Sequence, residues 1–307
     1  MEAQTGGFRP PPLGVGALLD AVFSLYRHNF WLFVTVVAVV QVPYQILITL
    51  LVRKGSTSQL SLVQGGRVRS LHFLTLTTGT IHPIGLGWIG LVVFAIIALP
   101  LELAAVTQVV AARYQSHPTS AKAGFRIARG RWLPLLGVGL IVVVIAVGAL
   151  ALLGLVTAVL AFALHGLGVL LALLLWLVAV VVGIVAYLRV VVASSVVVLE
   201  PTGPWLALRR SWELTRGSAW RILWILLVLT MLSVVLSAVG GTMTALLSLL
   251  GGGTNQPLGG LILLGGGIVL AVLITPMVSV GLVLLYFDLR ARREGSAAIP
   301  VEGQPAG

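Results

Sequence analysis

Between Arg131 and Arg189 the chain runs for 57 residues without one Asp, Glu, Lys or Arg. A single membrane-spanning helix needs only about 20 to 25 apolar residues, so this run is about twice too long for one span. Two helices fit in it, and they divide near His165, Gly166, Leu167 and Gly168. A second uncharged run, the 66 positions from Ile222 to Phe287, has the same property. It is split by the turn-forming stretch Gly251, Gly252, Gly253, Thr254, Asn255, Gln256, Pro257. With 59% hydrophobic and only 9% charged residues, against roughly 25% charged in soluble domains, a water-soluble globule is excluded. The chain has no cysteine, which excludes disulfides, thiolate metal sites and a cysteine nucleophile.

These runs predict an all-α integral membrane protein with six transmembrane helices, at about 30–51, 86–110, 132–155, 169–192, 222–250 and 261–287. They form a single membrane domain over 13–295, with disordered tails at 1–12 and 296–307. The apolar runs are long and continuous, so the alternation of a β-barrel is absent. A secretory signal is not expected, because 29 residues precede the first apolar run and that run exceeds the ~7 to 15 residues of a signal core. Placing the amino end in the cytoplasm puts 15 of the 19 Lys and Arg on that side, so both termini are expected to be cytoplasmic. The remaining four, Arg53, Lys54, Arg67 and Arg69, make the first outer loop, 52–85, basic, which leaves room for a re-entrant or interfacial segment at 71–84.

Three copies of one pattern precede the odd-numbered spans: LLDAVFSLYRHNFWLF ending at Trp31, AKAGFRIARGRWLPLL around Trp132, and WLALRRSWELTRGSAWRIL around Trp220. In each, an aromatic residue (Phe23, Phe125 or Trp212) stands seven or eight positions before the anchor. Aromatic and aliphatic residues on one face with Lys or Arg on the other are what a helix in the headgroup layer requires. The expectation is three repeats of an interfacial amphipathic helix plus a transmembrane hairpin, the short helices lying at about 16–29, 119–131 and 203–219. Ordinary basic loops obeying the positive-inside rule are the alternative. Tryptophans 31, 132, 205, 212, 220 and 224 all fall on this side.

Two ladders of small residues in steps of four predict where the last hairpin packs: Ser233, Ser237, Gly241, Ala245 and Gly267, Ala271, Thr275, Ser279. Charged residues at membrane depth are few, and each is a candidate for function. Glu102 lies in the second span and Arg189 near the end of the fourth, about 16 Å from that helix's end if it continues to Leu199. Both need partners, and Arg189 is expected to pair with Glu102 or Asp288. Together with Glu200 they form the expected structural charge cluster. Arg27, Arg126, Arg129, Arg209, Arg210, Trp212 and Arg216 are the expected contacts to anionic lipid or a partner protein.

Catalytic patterns are missing: there is no HExxH, GxSxG, Walker or dinucleotide motif, and no catalytic residue is assigned. The five histidines are scattered, and only the outer-loop pair His72 and His82 offers even a remote metal site, so no metal or cofactor is expected. Nucleic acid is a poor partner for a basic excess arranged this way.

The run from Arg189 through VVLEPTGPWLALRRSWELTRGSAWRI, the segment LYFDLRARREG and the opening GALLDAVFSLYRHNFWLF resemble the membrane domain of glycerophosphoryl diester phosphodiesterase and its stand-alone relatives, over about residues 13 to 295. The matching positions are Arg189, Glu200, Arg210, Ser211, Trp212, Leu214, Arg216 and Gly217, then Tyr286, Asp288, Arg290 and Glu294. The resemblance implies a polytopic module of a bacterial plasma membrane. In that family the module can precede a catalytic barrel, for which the twelve residues after Gly295 leave no room, so hydrolysis is not carried over. Trp212 and Leu214 are expected in the membrane boundary, with Gly217 ending their helix. The leading expectation is a non-enzymatic scaffold that binds anionic lipid, a partner protein, or both through its basic helices. The competing one is a small transporter or carrier that uses Glu102 and Arg189 in a central cavity. A membrane-embedded lipid hydrolase or transferase lacks candidate residues.

Overall fold

The computed structural model describes residues 14–55, 86–253 and 256–294, and every regular element among them is an α-helix. In chain order these are α1 (Val15–His28), α2 (Phe30–Gly55), α3 (Leu86–Tyr114), α4 (Ala121–Ala128), α5 (Trp132–Val190), α6 (Ala193–Leu199), α7 (Pro204–Thr215), α8 (Ala219–Leu250) and α9 (Pro257–Glu294). Five of them, α2, α3, α5, α8 and α9, contain stretches long and apolar enough to cross a bilayer. The chain is a multi-pass α-helical membrane protein. Both tails, most of the 52–85 loop with its 71–84 segment, and His72 and His82 lie outside the described residues.

Local chemistry sets the helix boundaries. Asn29 separates α1 from α2, and its side-chain amide and its backbone N–H both donate to the Leu25 carbonyl at the end of α1. Ser120 accepts from the Ala123 N–H at 3.3 Å and caps α4. Pro204, whose missing N–H costs nothing in a first turn, opens α7. Gly217, at φ 78°, ends α7 before α8 begins, as its sequence position implies. The short helices α1, α4 and α7 thus stand directly before α2, α5 and α8, close to the expected 16–29, 119–131 and 203–219.

Unbroken, the 59 residues of α5 would extend about 88 Å, roughly three bilayer cores. His165 interrupts them with φ 50° and ψ −125°, at the place where the sequence divides the run. A Cβ on Gly168 would collide with the carbonyl of Leu160, although eight residues of straight helix separate atoms by about 12 Å. The chain therefore folds sharply back there. Beyond Arg189 the helix does not run on to Leu199. It breaks at Val191 and Val192, so Arg189 lies in the last turn of α5.

The second half of α9 is the axis of the molecule. Every side chain from Val283 to Leu289 is buried, and α1, α2, α3, α6, α7 and α8 all pack on this helix. Leu18, Val22, Phe33, Val196, Leu214 and Ile222 complete the core at this end. Leu214 is accordingly a core residue and does not lie in the membrane boundary. By contrast the middle of α5, from 139 to 187, buries only Thr157 and Gly168 and turns its Leu, Val and Ile side chains outward, as a lipid-facing helix does.

Helices α8 and α9 pack along a line one residue away from the expected ladders. Gly240 meets Leu270, Gly266 meets Thr244, Gly281 meets Leu229, and Gly259 meets the Ser248 carbonyl. A Cβ on Gly241 or Gly267 would find no atom within 4 Å, and Ser237 and Ala245 are exposed. The reason is register: the contacts at Gly240, Thr244 and Ser248 also recur in steps of four, but this line lies one residue, about 100° around the helix, from the expected ladder. Ser233 and Ser279 do not bridge the helices; they donate to Leu229 and Thr275 carbonyls of their own helices.

Candidate functional site

Glu200 follows α6 directly, where the Pro201 to Pro204 turn swings the chain into α7, and this puts its carboxylate between α7 and α9. Tyr286 donates to Glu200 Oε1 at 2.7 Å. Arg210 lies 3.5 Å from Glu200 Oε2 and also binds Glu294. Arg290 donates to Glu294 at 2.8 Å and to the Tyr286 oxygen at 3.1 Å, with Glu200 Oε1 at 4.0 Å. Arg131, at the start of α5, donates to the Glu200 backbone carbonyl at 3.3 Å. Two carboxylates, two arginines and a tyrosine thus tie α7 and α9 to the α6–α7 turn with their charges balanced.

Arg189 sits beside this clamp with a different solution. Its guanidinium lies over the Trp212 ring, 5.5 Å from the centroid, and no carboxylate among the described residues pairs with it. Its Nε and Nη1 are buried without a hydrogen-bond partner. The backbone carbonyl of Arg189 accepts from Ser211 at 2.7 Å and from Thr215, which fastens α5 to α7. The pairing expected with Glu102 or Asp288 is replaced by a cation–π contact. Arg189, Glu200, Arg210, Ser211, Trp212, Tyr286, Arg290 and Glu294 therefore converge at this junction. Nearby, Arg293 donates to the Arg216 carbonyl.

Asp288 belongs to a separate pair of bonds. Its side chain is 0% exposed and is held by Arg221 at 2.9 Å and Arg292 at 3.1 Å, which joins the start of α8 to the end of α9. Glu102, 3% exposed, is held by neither arginine. Gln41 Nε2 of α2 donates to both of its oxygens, at 3.2 and 3.3 Å. The four expected members of one charge cluster thus occupy four settings, each with its own partner.

Of the expected lipid-contact residues, Arg27, Arg126, Arg129, Arg209 and Arg216 are exposed, and Trp212 is half exposed. Arg209 pairs with Glu213 one turn along α7 at 3.2 Å, both side chains open to solvent. Arg210 is committed to the clamp. Trp31, Trp205, Trp220 and Trp224 are also exposed, Trp31 by 77%.

Sequence reasoning missed the neighbourhood of Arg113. An open cavity of about 730 Å³ lies where the end of α1, the start of α2 and the end of α3 meet, with Arg27, His28, Trp31 and Arg113 on its walls. Tyr26, also on its wall, donates to the Leu273 carbonyl of α9 at 2.9 Å, and burial pushes its hydroxyl above the usual tyrosine range, which keeps it a donor. Gln41 was missed as well, although a lone amide inside an apolar span marks a polar contact in the interior. No family model, no curated protein and no solved structure matches this chain.

Proposed function

We propose that the protein is a non-enzymatic membrane scaffold that binds anionic lipid, and through it or beside it a partner protein, by the basic short helices α1, α4 and α7. One observation carries this reading: Arg27, Lys122, Arg126, Arg129 and Arg216 are exposed and form no ion pair among the described residues, and exposed tryptophans accompany them. Cations free of internal partners beside amphipathic aromatics match an anionic headgroup layer, where each Lys or Arg contributes about 1 kcal/mol. Counting α5 as two arms that meet at His165, about 50 and 37 Å long, gives six spans and three units of short helix plus hairpin. In this arrangement both termini face the cytoplasm of a bacterial cell, and the chain is a relative of the glycerophosphoryl diester phosphodiesterase membrane domain. Arg210 stabilises the clamp, so the charges that test lipid contact are Arg126, Arg129 and Arg216. In nanodiscs, spin-labelled phosphatidylglycerol should associate about tenfold more strongly than spin-labelled phosphatidylcholine. Changing these three arginines to glutamine should remove most of that preference, and an unchanged preference would reject the assignment.

A second reading, a small carrier, draws on Glu102. An ionisable carboxyl inside a membrane span is a candidate for a proton relay, and the described partner of Glu102 is the amide of Gln41. In proteoliposomes with an internal pH-sensitive dye, this reading requires proton flux that Glu102→Gln abolishes. The scaffold reading requires none.

A further inference from the structure

The cavity between the ends of α1 and α3 is built differently from the clamp. Arg27 and His28 come from the last turn of α1, Arg113 from the last turn of α3, and Phe23, Phe30 and Trp31 supply aromatic walls. Helix-end electrostatics explains each arginine singly, since a positive charge near a helix C-terminus is favourable. It does not explain why two such ends face one cavity with no carboxylate among its described lining residues. Arg113 is held by a neutral group: its Nη2 donates to the Thr119 carbonyl at 3.0 Å, while its Nε is buried without a partner. His28 Nδ1 lies 2.8 Å from the Ser24 carbonyl, which can only accept, so Nδ1 donates there. Arg27 forms no ion pair among the described residues, nor does Asp20 on the same helix. A smaller cavity of about 270 Å³ adjoins and shares His28 and Arg113. The start of α2 adds a positive pole, set against the negative poles at the ends of α1 and α3, so the guanidinium groups carry the attraction for an anion.

We propose that this cavity seats the phosphodiester of one anionic phospholipid, with Arg27 and Arg113 on the phosphate oxygens and Phe23 and Trp31 against the glycerol and the first carbons of the acyl chains. Guanidinium donors match phosphate oxygens in charge and geometry. A volume of about 730 Å³ lies in the usual range of small-molecule sites, ~300 to 1,000 Å³. With no carboxylate among the described residues of its wall, the site favours a net negative headgroup over one that carries its own ammonium. This assignment rests on the lipid-binding reading above and narrows it to one stoichiometric site on α1 to α3, apart from the diffuse contacts of α4 and α7.

The test is native mass spectrometry of the full-length protein in detergent, titrated separately with phosphatidylglycerol, phosphatidylcholine and inorganic phosphate. The wild type should retain one phosphatidylglycerol saturably, about tenfold more tightly than phosphatidylcholine. Arg27→Gln and Arg113→Gln should each weaken that single event about tenfold, while changing Arg126, Arg129 and Arg216 together should leave it in place. Arg113→Gln also loses the Thr119 contact, so its melting temperature is compared with wild type. Arg27→Gln removes only an exposed side chain and decides the matter if Arg113→Gln unfolds. Unchanged phosphatidylglycerol binding in folded Arg27→Gln would overturn the site and leave the general lipid reading standing. Equal retention of both lipids by the wild type would overturn both. Saturable binding of inorganic phosphate without phosphatidylglycerol would overturn the lipid assignment in favour of a soluble phosphate ester.

Discussion

Adding one methyl group at Gly266 tests how α8 and α9 pack. A Cβ at this position would overlap Thr244 Cγ2, lie 2.7 Å from Thr244 Cβ and 3.2 Å from its Oγ1. Carbon atoms pack best about 3.5 to 4.0 Å apart, so the Cβ pair must open by about 1 Å. Thr244 cannot swing aside. It is β-branched, its hydroxyl donates to the Gly240 and Gly241 carbonyls at 3.0 Å each, and no rotamer moves its Cβ. The helices must therefore separate, which also loosens the Gly240–Leu270 contact. Overpacking of this kind costs about 1 to 3 kcal/mol, and replacing Gly by Ala in a helix returns about 1 kcal/mol. Gly267→Ala gains the same propensity in open space, so the difference between the two variants isolates the packing cost at about 1 to 3 kcal/mol. Equilibrium unfolding in mixed micelles should place Gly266→Ala below Gly267→Ala by that amount. Thr244→Gly should recover at least half of the deficit when combined with Gly266→Ala. Equal stability of the two alanine variants, or a lower stability for Gly267→Ala, would refute this register and restore the ladder through Gly241 and Gly267.

Other substitutions separate the clamp, the lone arginine and the turn. Asp288→Ala leaves Arg221 and Arg292 without their buried carboxylate and should cost about 3 to 5 kcal/mol, read as loss of folded protein in micelles. Arg189→Leu strands no carboxylate and forfeits a cation–π contact of about 0.5 to 2 kcal/mol, so it should fold within about 2 kcal/mol of wild type by the same measurement; failure to fold would show a partner that the geometry does not contain. His165→Gly places the residue best suited to φ 50° and ψ −125° at the α5 turn and should raise stability by about 1 kcal/mol, whereas His165→Ala should not.

Helix positions were legible because long uncharged runs have charges at their borders, and lipid tolerates little else. The α5 turn was legible from His165, Gly166 and Gly168, residues that stand where a straight helix would exceed the bilayer. Partner choice was not legible. Arg189 and Glu102 both call for neighbours, but a ring face and an amide, Trp212 and Gln41, stand where opposite charges are expected, and only the packing of α5 on α7 and of α2 on α3 selects them. The ladder failed for a geometric reason. Small residues in a row mark a close approach, yet Gly240 and Gly241, or Gly266 and Gly267, are equally small, and only the packing decides which of each pair faces the neighbouring helix. Arg113 looked like one more basic residue at a helix end until α1 was seen to face it across a cavity.

The claim that the basic helices meet anionic lipid is tested most directly by the protein's own tryptophans. Trp31, Trp205, Trp212, Trp220 and Trp224 are exposed beside those helices and report the lipid next to them. In vesicles holding equal amounts of phosphatidylglycerol and phosphatidylcholine, the brominated chains are placed on one lipid and then on the other. Brominated phosphatidylglycerol should quench the tryptophan emission more strongly, and the excess should shrink as salt screens the headgroup contacts. Equal quenching by the two lipids at low salt would contradict the account.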